Sequence, residues 1–134
     1  MPQDVDAARI PELKSIIASV LEKAAGSGAS QAEADVSLQQ GLSTTGRLGG
    51  VWSVGYHRAR GLGVTVYFGT RKGSASTADL SLNAVAATVA KACSIARYTA
   101  EDPYSGLADA AELAADIPDL DLDHAWDLPP EAAV

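Results

Sequence analysis

The side chains that could do chemistry in this chain are few and scattered. His57, His124 and Cys93 are the donors a transition metal would prefer, and they lie far apart, with no HExxH and no CxxC to gather them. Asp119, Asp121, Asp123 and His124 form the one local cluster of metal-type ligands. In an extended segment three alternate aspartates share a face, and no glycine turn folds them around an ion. The cluster therefore reads as a solvated or partner-facing acidic strip. Serines are plentiful, but none sits in GxSxG, and no local pattern brings a histidine to a serine. Cys93 falls within a helical pattern and, as the only cysteine, cannot close an internal disulfide; it reads as a small buried hydrophobe. The residues assign no catalytic group and no metal ligand.

Cationic groups are better placed. Arg58, Arg60, Arg71 and Lys72 fall within one hairpin region, and Gly73 to Thr77 precedes a helix start, which is a candidate anion cradle. GTRKGSAS lacks the Walker spacing, however, and a net charge of −7 opposes a polyanion partner. The plain expectation is a solvated hairpin tip whose charges meet acidic residues of the same chain. Trp52 and Tyr56 share one side of a strand; if exposed they make a binding patch. Candidate contacts for a peptide or partner are thus Trp52, Tyr56, Arg58, Arg71, Lys72 and Ser74.

The elements that must carry these groups follow from hydrophobic period. Leu62, Val64, Val66 and Phe68 alternate with Gly63, Thr65 and Tyr67, which predicts a half-buried strand. GTRKG, Gly69 to Gly73, reads as a turn, and Ser74 to Thr77 as a return strand. Ser81 is the predicted N-cap of a helix from Leu82 to about Tyr98, whose core stripe is Leu82, Val85, Val89, Ala92, Cys93 and Ala96. Upstream, residues 1–10 read as an irregular lead. Leu13, Ile16, Ile17, Val20, Leu21 and Ala24 then predict an amphipathic helix starting at Pro11 and ending at Gly26 to Gly28. Alternation over 34–45, with a bulge or bend at Gly41, and over 51–59, predicts two more strands. Gly49-Gly50 and Arg60-Gly61 read as the turns between them. Short connections make the sheet an antiparallel meander. The fold class expected is α+β: a two-layer sandwich of three or four antiparallel strands on two main helices.

Composition fits a single core. The chain has 134 residues, 47% of them hydrophobic, with much alanine and one Phe. No basic leader precedes an apolar run, and no run approaches membrane-spanning length, so the expectation is a cytoplasmic protein without a membrane partner. Charge divides the chain: residues 1–100 hold 10 Lys/Arg and 7 Asp/Glu, whereas 101–134 hold 10 Asp/Glu and no Lys or Arg. Residues 1–100 are therefore read as the α+β domain and 101–134 as an acidic tail or linker. Within that tail, Leu107 to Ala115 reads as one short helix, and Pro129 to Ala133 as the first turn of a helix cut off at Val134, which suggests a fragment of a longer protein.

The stretch Gly61 to Ser81, then ACSIARYTAEDPYSGLAD from Ala92 to Asp109, then PDLDLDHAWDL from Pro118 to Leu128, resembles the N-terminal region of the TldD/PmbA family, in its PmbA or TldE branch. The resemblance runs from about Ala34 to Glu131. It implies a longer protein with a second, mostly β domain. It also implies a subunit of a cytosolic heterodimeric zinc protease that cleaves unfolded peptides, matures a peptide antibiotic and degrades an antitoxin. An older family label is modulator of DNA gyrase. The family's zinc motif belongs to the TldD-type subunit, so the resemblance implies no cofactor in this domain and zinc only in that partner. It implies as partners a TldD-type subunit or further copies of the chain, with a peptide as substrate. The rival expectation is a non-proteolytic binding module for nucleic acid or a gyrase complex. One departure is visible: family members tend to carry glutamates across the second strand, where this chain has Gly50, Trp52 and Gly55.

Overall fold

In a computed structural model, which describes residues 9–122, 124 and 128–133, helix α1 spans Ile10–Gly26 and helix α2 spans Leu82–Tyr98. Between them run strands β1 (Gln31–Arg47), β2 (Gly50–Phe68) and β3 (Arg71–Thr77), paired antiparallel in the order β1-β2-β3. The molecule is α+β, with both helices on one face of a three-stranded meander. The irregular lead predicted for residues 1–10 lies outside the described residues up to residue 8.

The core is small and aliphatic. Leu62, Val64 and Val66 of β2 meet Val20 and Ala24 of α1 and Val85, Val89, Ala92, Cys93 and Ala96 of α2, all buried. The alternation of β2 delivers its side of that contact. The alanines of α2 let the helix approach closely, and the closest point is Gly73 of β3. A Cβ there would collide with the Ala92 carbonyl oxygen and the Ala96 amide nitrogen, and would stand 2.8 Å from the Ala96 Cβ. Only glycine fits under the helix at that point.

The end caps behave as the residues demand. The Ser81 Oγ accepts from the Ala84 amide at 3.4 Å, and the Ser81 amide donates to Asp79 Oδ1 at 2.9 Å, so α2 starts where expected. The β1–β2 turn is the two-residue loop Leu48-Gly49, with φ of 53° and 79°, the double positive φ of a type I′ hairpin. Leu48 therefore adopts a conformation uncommon for a residue with a Cβ, and its side chain is 98% exposed.

Five expectations are corrected. Arg60-Gly61 is not a turn: β2 continues through it, with Gly61 opposite Ser37, so two predicted strands are one strand of 19 residues. The bulge lies not at Gly41, which pairs with His57, but between Thr45 and Gly46, where Trp52 is the extra residue of β2. The β2–β3 turn is only Gly69-Thr70; Arg71 to Gly73 already belong to β3. Leu82 is 78% exposed and leaves the core stripe, which begins at Val85. In the acidic tail, the helix expected over Leu107 to Ala115 is a single 3₁₀ turn at Ala110–Glu112, and a second such turn occupies Pro130–Ala132. Among the described residues no helix is long and apolar enough to cross a membrane.

Candidate functional site

β1 and β2 are far longer than β3, and this sets the functional geometry. β3 pairs with β2 only over Leu62 to Phe68. Beyond that point β1 and β2 continue as a two-stranded ribbon of residues 38–60, which we call the arm. Every β2 residue from Gly50 to Arg60 is exposed. A two-stranded ribbon has no third layer to bury its side chains, so whatever it carries is presented to a neighbour or to water.

The arm carries three of the six predicted contact residues. Trp52 is 67% exposed and Tyr56 71%. Register places Tyr56 opposite Leu42, Arg58 opposite Gln40 and Arg60 opposite Leu38, all on the face that further along β2 forms the core. Arg58 donates to Gln40 Oε1 at 3.4 Å, and the Arg47 guanidinium lies 5.1 Å from the Trp52 ring centre. A groove of about 680 Å³ opens here, lined by Leu42, Thr44, Tyr56, His57, Arg58 and the returning Leu128, among others. It offers an aromatic ring, a guanidinium and apolar walls, which suits a polypeptide segment better than a reacting group.

The other three candidates stand at the far end of the sheet. Lys72 pairs with Tyr67, eleven residues along β2 from Tyr56, which is about 36 Å of strand. Arg71 is fully employed in holding the fold: it donates to the Arg97 carbonyl at the end of α2 at 3.0 Å and reaches Glu101 at 3.4 Å. Its meeting with the acidic segment is as expected of the hairpin's charges. Ser74 shares a 2.9 Å hydrogen bond with Thr65, and Lys72 Nζ lies 6.0 Å from the Tyr67 ring centre. The six candidates thus divide between two places. The anion cradle does not form, because Gly73 is buried beneath α2 and Ser74 to Thr77 are strand.

Titration behaviour supports a structural reading. Burial, then the nearby Glu33 carboxylate, which accepts its hydroxyl proton at 3.2 Å, raises the Tyr67 phenol above its ordinary value of 10.0. The backbone amide of Ser81 holds Asp79 below its ordinary value of 3.8. Neither residue faces the groove. Cys93 is buried in the core. Among the described residues no three His, Cys, Asp or Glu gather as metal ligands, so these residues do not fit a zinc site. Asp119 Oδ1 accepts from the Asp121 amide and His124 Nε2 stands 3.9 Å from Asp121; Asp123 of the same cluster lies outside the described residues.

Comparison with known proteins gives this geometry a context. Residues 32–96 match the family model of the PmbA/TldA metallopeptidase domain 1. Metalloprotease PmbA of Escherichia coli O157:H7 is 45% identical over 122 residues, which is 91% of this chain and 27% of the relative. The chain carries the first domain of the PmbA/TldD family. The Metalloprotease PmbA homolog of Haemophilus influenzae is 43% identical over 117 residues, 87% of this chain and 26% of its own length. The chain therefore spans about a quarter of the curated relatives it matches. A crystal structure of a Bacteroides thetaiotaomicron protein named as a modulator of DNA gyrase superposes with a TM-score of 0.63 at 20% identity, over 83% of this chain and 25% of that one, a likeness of fold.

Trp52 and Tyr56 were legible as candidate surface aromatics, and both are exposed, but the arm's length was not legible. The signal that could have found it is the unbroken run of alternation on both sides of Arg60-Gly61, with β1 long enough to pair along all of it.

Proposed function

We propose that this PmbA/TldD-family domain is the non-catalytic first domain of a PmbA/TldE-type subunit in a zinc metalloprotease assembly acting on unfolded peptides in the cytosol. Residues 1–100 form the folded unit and 101–134 lead toward a second domain. The domain walls a peptide-access cavity and contacts a TldD-type subunit, which supplies the zinc. The observation that carries this reading is the 45% identity to a metalloprotease PmbA across 91% of the chain, joined to an arm that presents Trp52, Tyr56 and Arg58 away from the core.

A full-length protein bearing this domain should co-purify with a TldD-type subunit and support cleavage of an unfolded peptide. Failure of both would reject the reading. The rival, a binding module for nucleic acid or a gyrase complex, draws on the arm's arginines and the name of the structural neighbour. Filter binding across a salt series separates the two, since phosphate contacts weaken steeply with salt.

A further inference from the structure

The acidic segment returns to the groove of its own chain but leaves its apolar residues outside it. Its start is tied to the opposite end of the sheet: the Asp102 amide donates to the Thr70 carbonyl at 3.1 Å, and the Leu107 amide to Gln31 Oε1 at 3.1 Å. Its far end comes back to the arm, where Leu128 and Ala133 line the groove with Tyr56, His57 and Arg58. Between these two points Ile117, Leu120 and Leu122 are exposed at 82%, 66% and 82%, among Asp116, Asp119 and Asp121. The arm presents the complement: Arg47, Arg58 and Arg60 with no carboxylate in residues 38–60, and exposed Val54 and Tyr56. Reach decides which chain supplies the occupant. From Gln31 to Leu42, opposite Tyr56, is eleven residues of strand, about 36 Å. Leu107, whose amide is held by Gln31, stands fifteen residues before Leu122, a tether of up to about 50 Å. Residues 116–122 therefore reach the groove of their own chain. A tether of that length holds them there at an effective concentration on the order of millimolar, above that of a second copy in dilute solution.

We propose that residues 116–122 are an autoinhibitory lid for the groove of their own chain, closing over Leu42 and Tyr56 and yielding to an incoming polypeptide of the same acidic, apolar character. In the structure the lid stands open, with its apolar side chains in water. Closed, Ile117, Leu120 and Leu122 pack on Leu42, Val54 and Tyr56, while Asp116, Asp119 and Asp121 meet Arg58 and Arg60, whose long stems carry the guanidinium groups to the rim. A guanidinium has five donors, and the 3.4 Å bond from Arg58 to Gln40 uses one. The lid rests on the arm being a contact surface, as proposed above, and adds the regulation of that surface. Its test involves neither a TldD-type subunit nor cleavage, so the two readings can fail separately.

The test is fluorescence anisotropy of a labelled synthetic peptide of residues 113–122 added to the 134-residue chain. The lid variant I117S/L120S/L122S should bind this peptide roughly tenfold more tightly than wild type, because a groove shut nine parts in ten lowers the apparent affinity by that factor. Adding R58E/R60E to the lid variant should weaken binding by roughly tenfold or more, and salt should weaken it as well. All five side chains are exposed, so circular dichroism should stay unchanged. Closure of this order leaves the arm's amides far less protected than those of the core. Equal affinity of wild type and lid variant overturns the proposal, since nothing was occluded. A lid variant that does not bind the peptide overturns it by removing the complementarity. A wild-type affinity that falls as protein concentration rises assigns the occluding segment to a second copy and overturns closure within one chain.

Discussion

At one point of this fold nothing larger than the natural residue fits, and at another burial alone sets what a side chain is worth. Gly73 lies beneath α2, and Gly73→Ala forces the helix off the sheet. The expected loss is about 1–3 kcal/mol, read as a lower urea midpoint. An unchanged midpoint would mean that the helix yields freely. Leu62, 1% exposed, and Leu82, 78% exposed, make a paired test of the core boundary. Leu62→Ala should cost about 2–5 kcal/mol and Leu82→Ala under about 0.5 kcal/mol in the same denaturation. Asp79 gives the fold an acid dependence. Its folded value lies below 3.8, so its contribution is present above that pH and is lost as pH falls through the depressed value. Asp79→Asn should flatten the acid limb of the stability curve, and a variant whose acid limb matches the wild type would contradict the capping role. Trp52 shows how much a single residue reveals before structure: its type marked it as a contact candidate, while its place in a bulge depends on Thr45 and Gly46 of another strand.

At the scale of elements, the helices were plain in the sequence and the strand limits were not. α2 runs Leu82–Tyr98 because its cap and its period are local features, each written within a few residues. Strand length depends on a partner. Arg60-Gly61 has turn chemistry, yet Ser37 stands opposite Gly61 and the ladder carries the chain straight through. Gly73 likewise looks like turn punctuation until α2 is seen lying on it. The acidic tail misled in the opposite sense: alanine-rich Leu107 to Ala115 has helix propensity but no surface to bury, and it settles for one 3₁₀ turn. The arm follows from the same accounting. In dilute protein, amide exchange should be slow at Leu62 to Phe68 and in α2 from Val85 to Ala96. It should be faster by orders of magnitude at Gly50 to Arg60. Equal protection along all of β2 would show that the arm is covered within one chain.

For the molecule as a whole, a sheet-and-helix core extends a basic, aromatic ribbon from one end. The contact candidates were legible as residue types, but not as a geometry. Trp52, Tyr56 and Arg58 fall together on the arm, whereas Arg71, Lys72 and Ser74 serve the sheet's other end, Lys72 standing about 36 Å from Tyr56 along β2. The function proposed above has the domain work by what it touches. The measurement that tests this most directly is cleavage of an unfolded peptide by a full-length protein bearing this domain together with a TldD-type subunit, comparing wild type with W52A/Y56A/R58E. The account predicts that the triple variant keeps its melting temperature but loses both association and cleavage. A triple variant that associates and cleaves as the wild type does would contradict it.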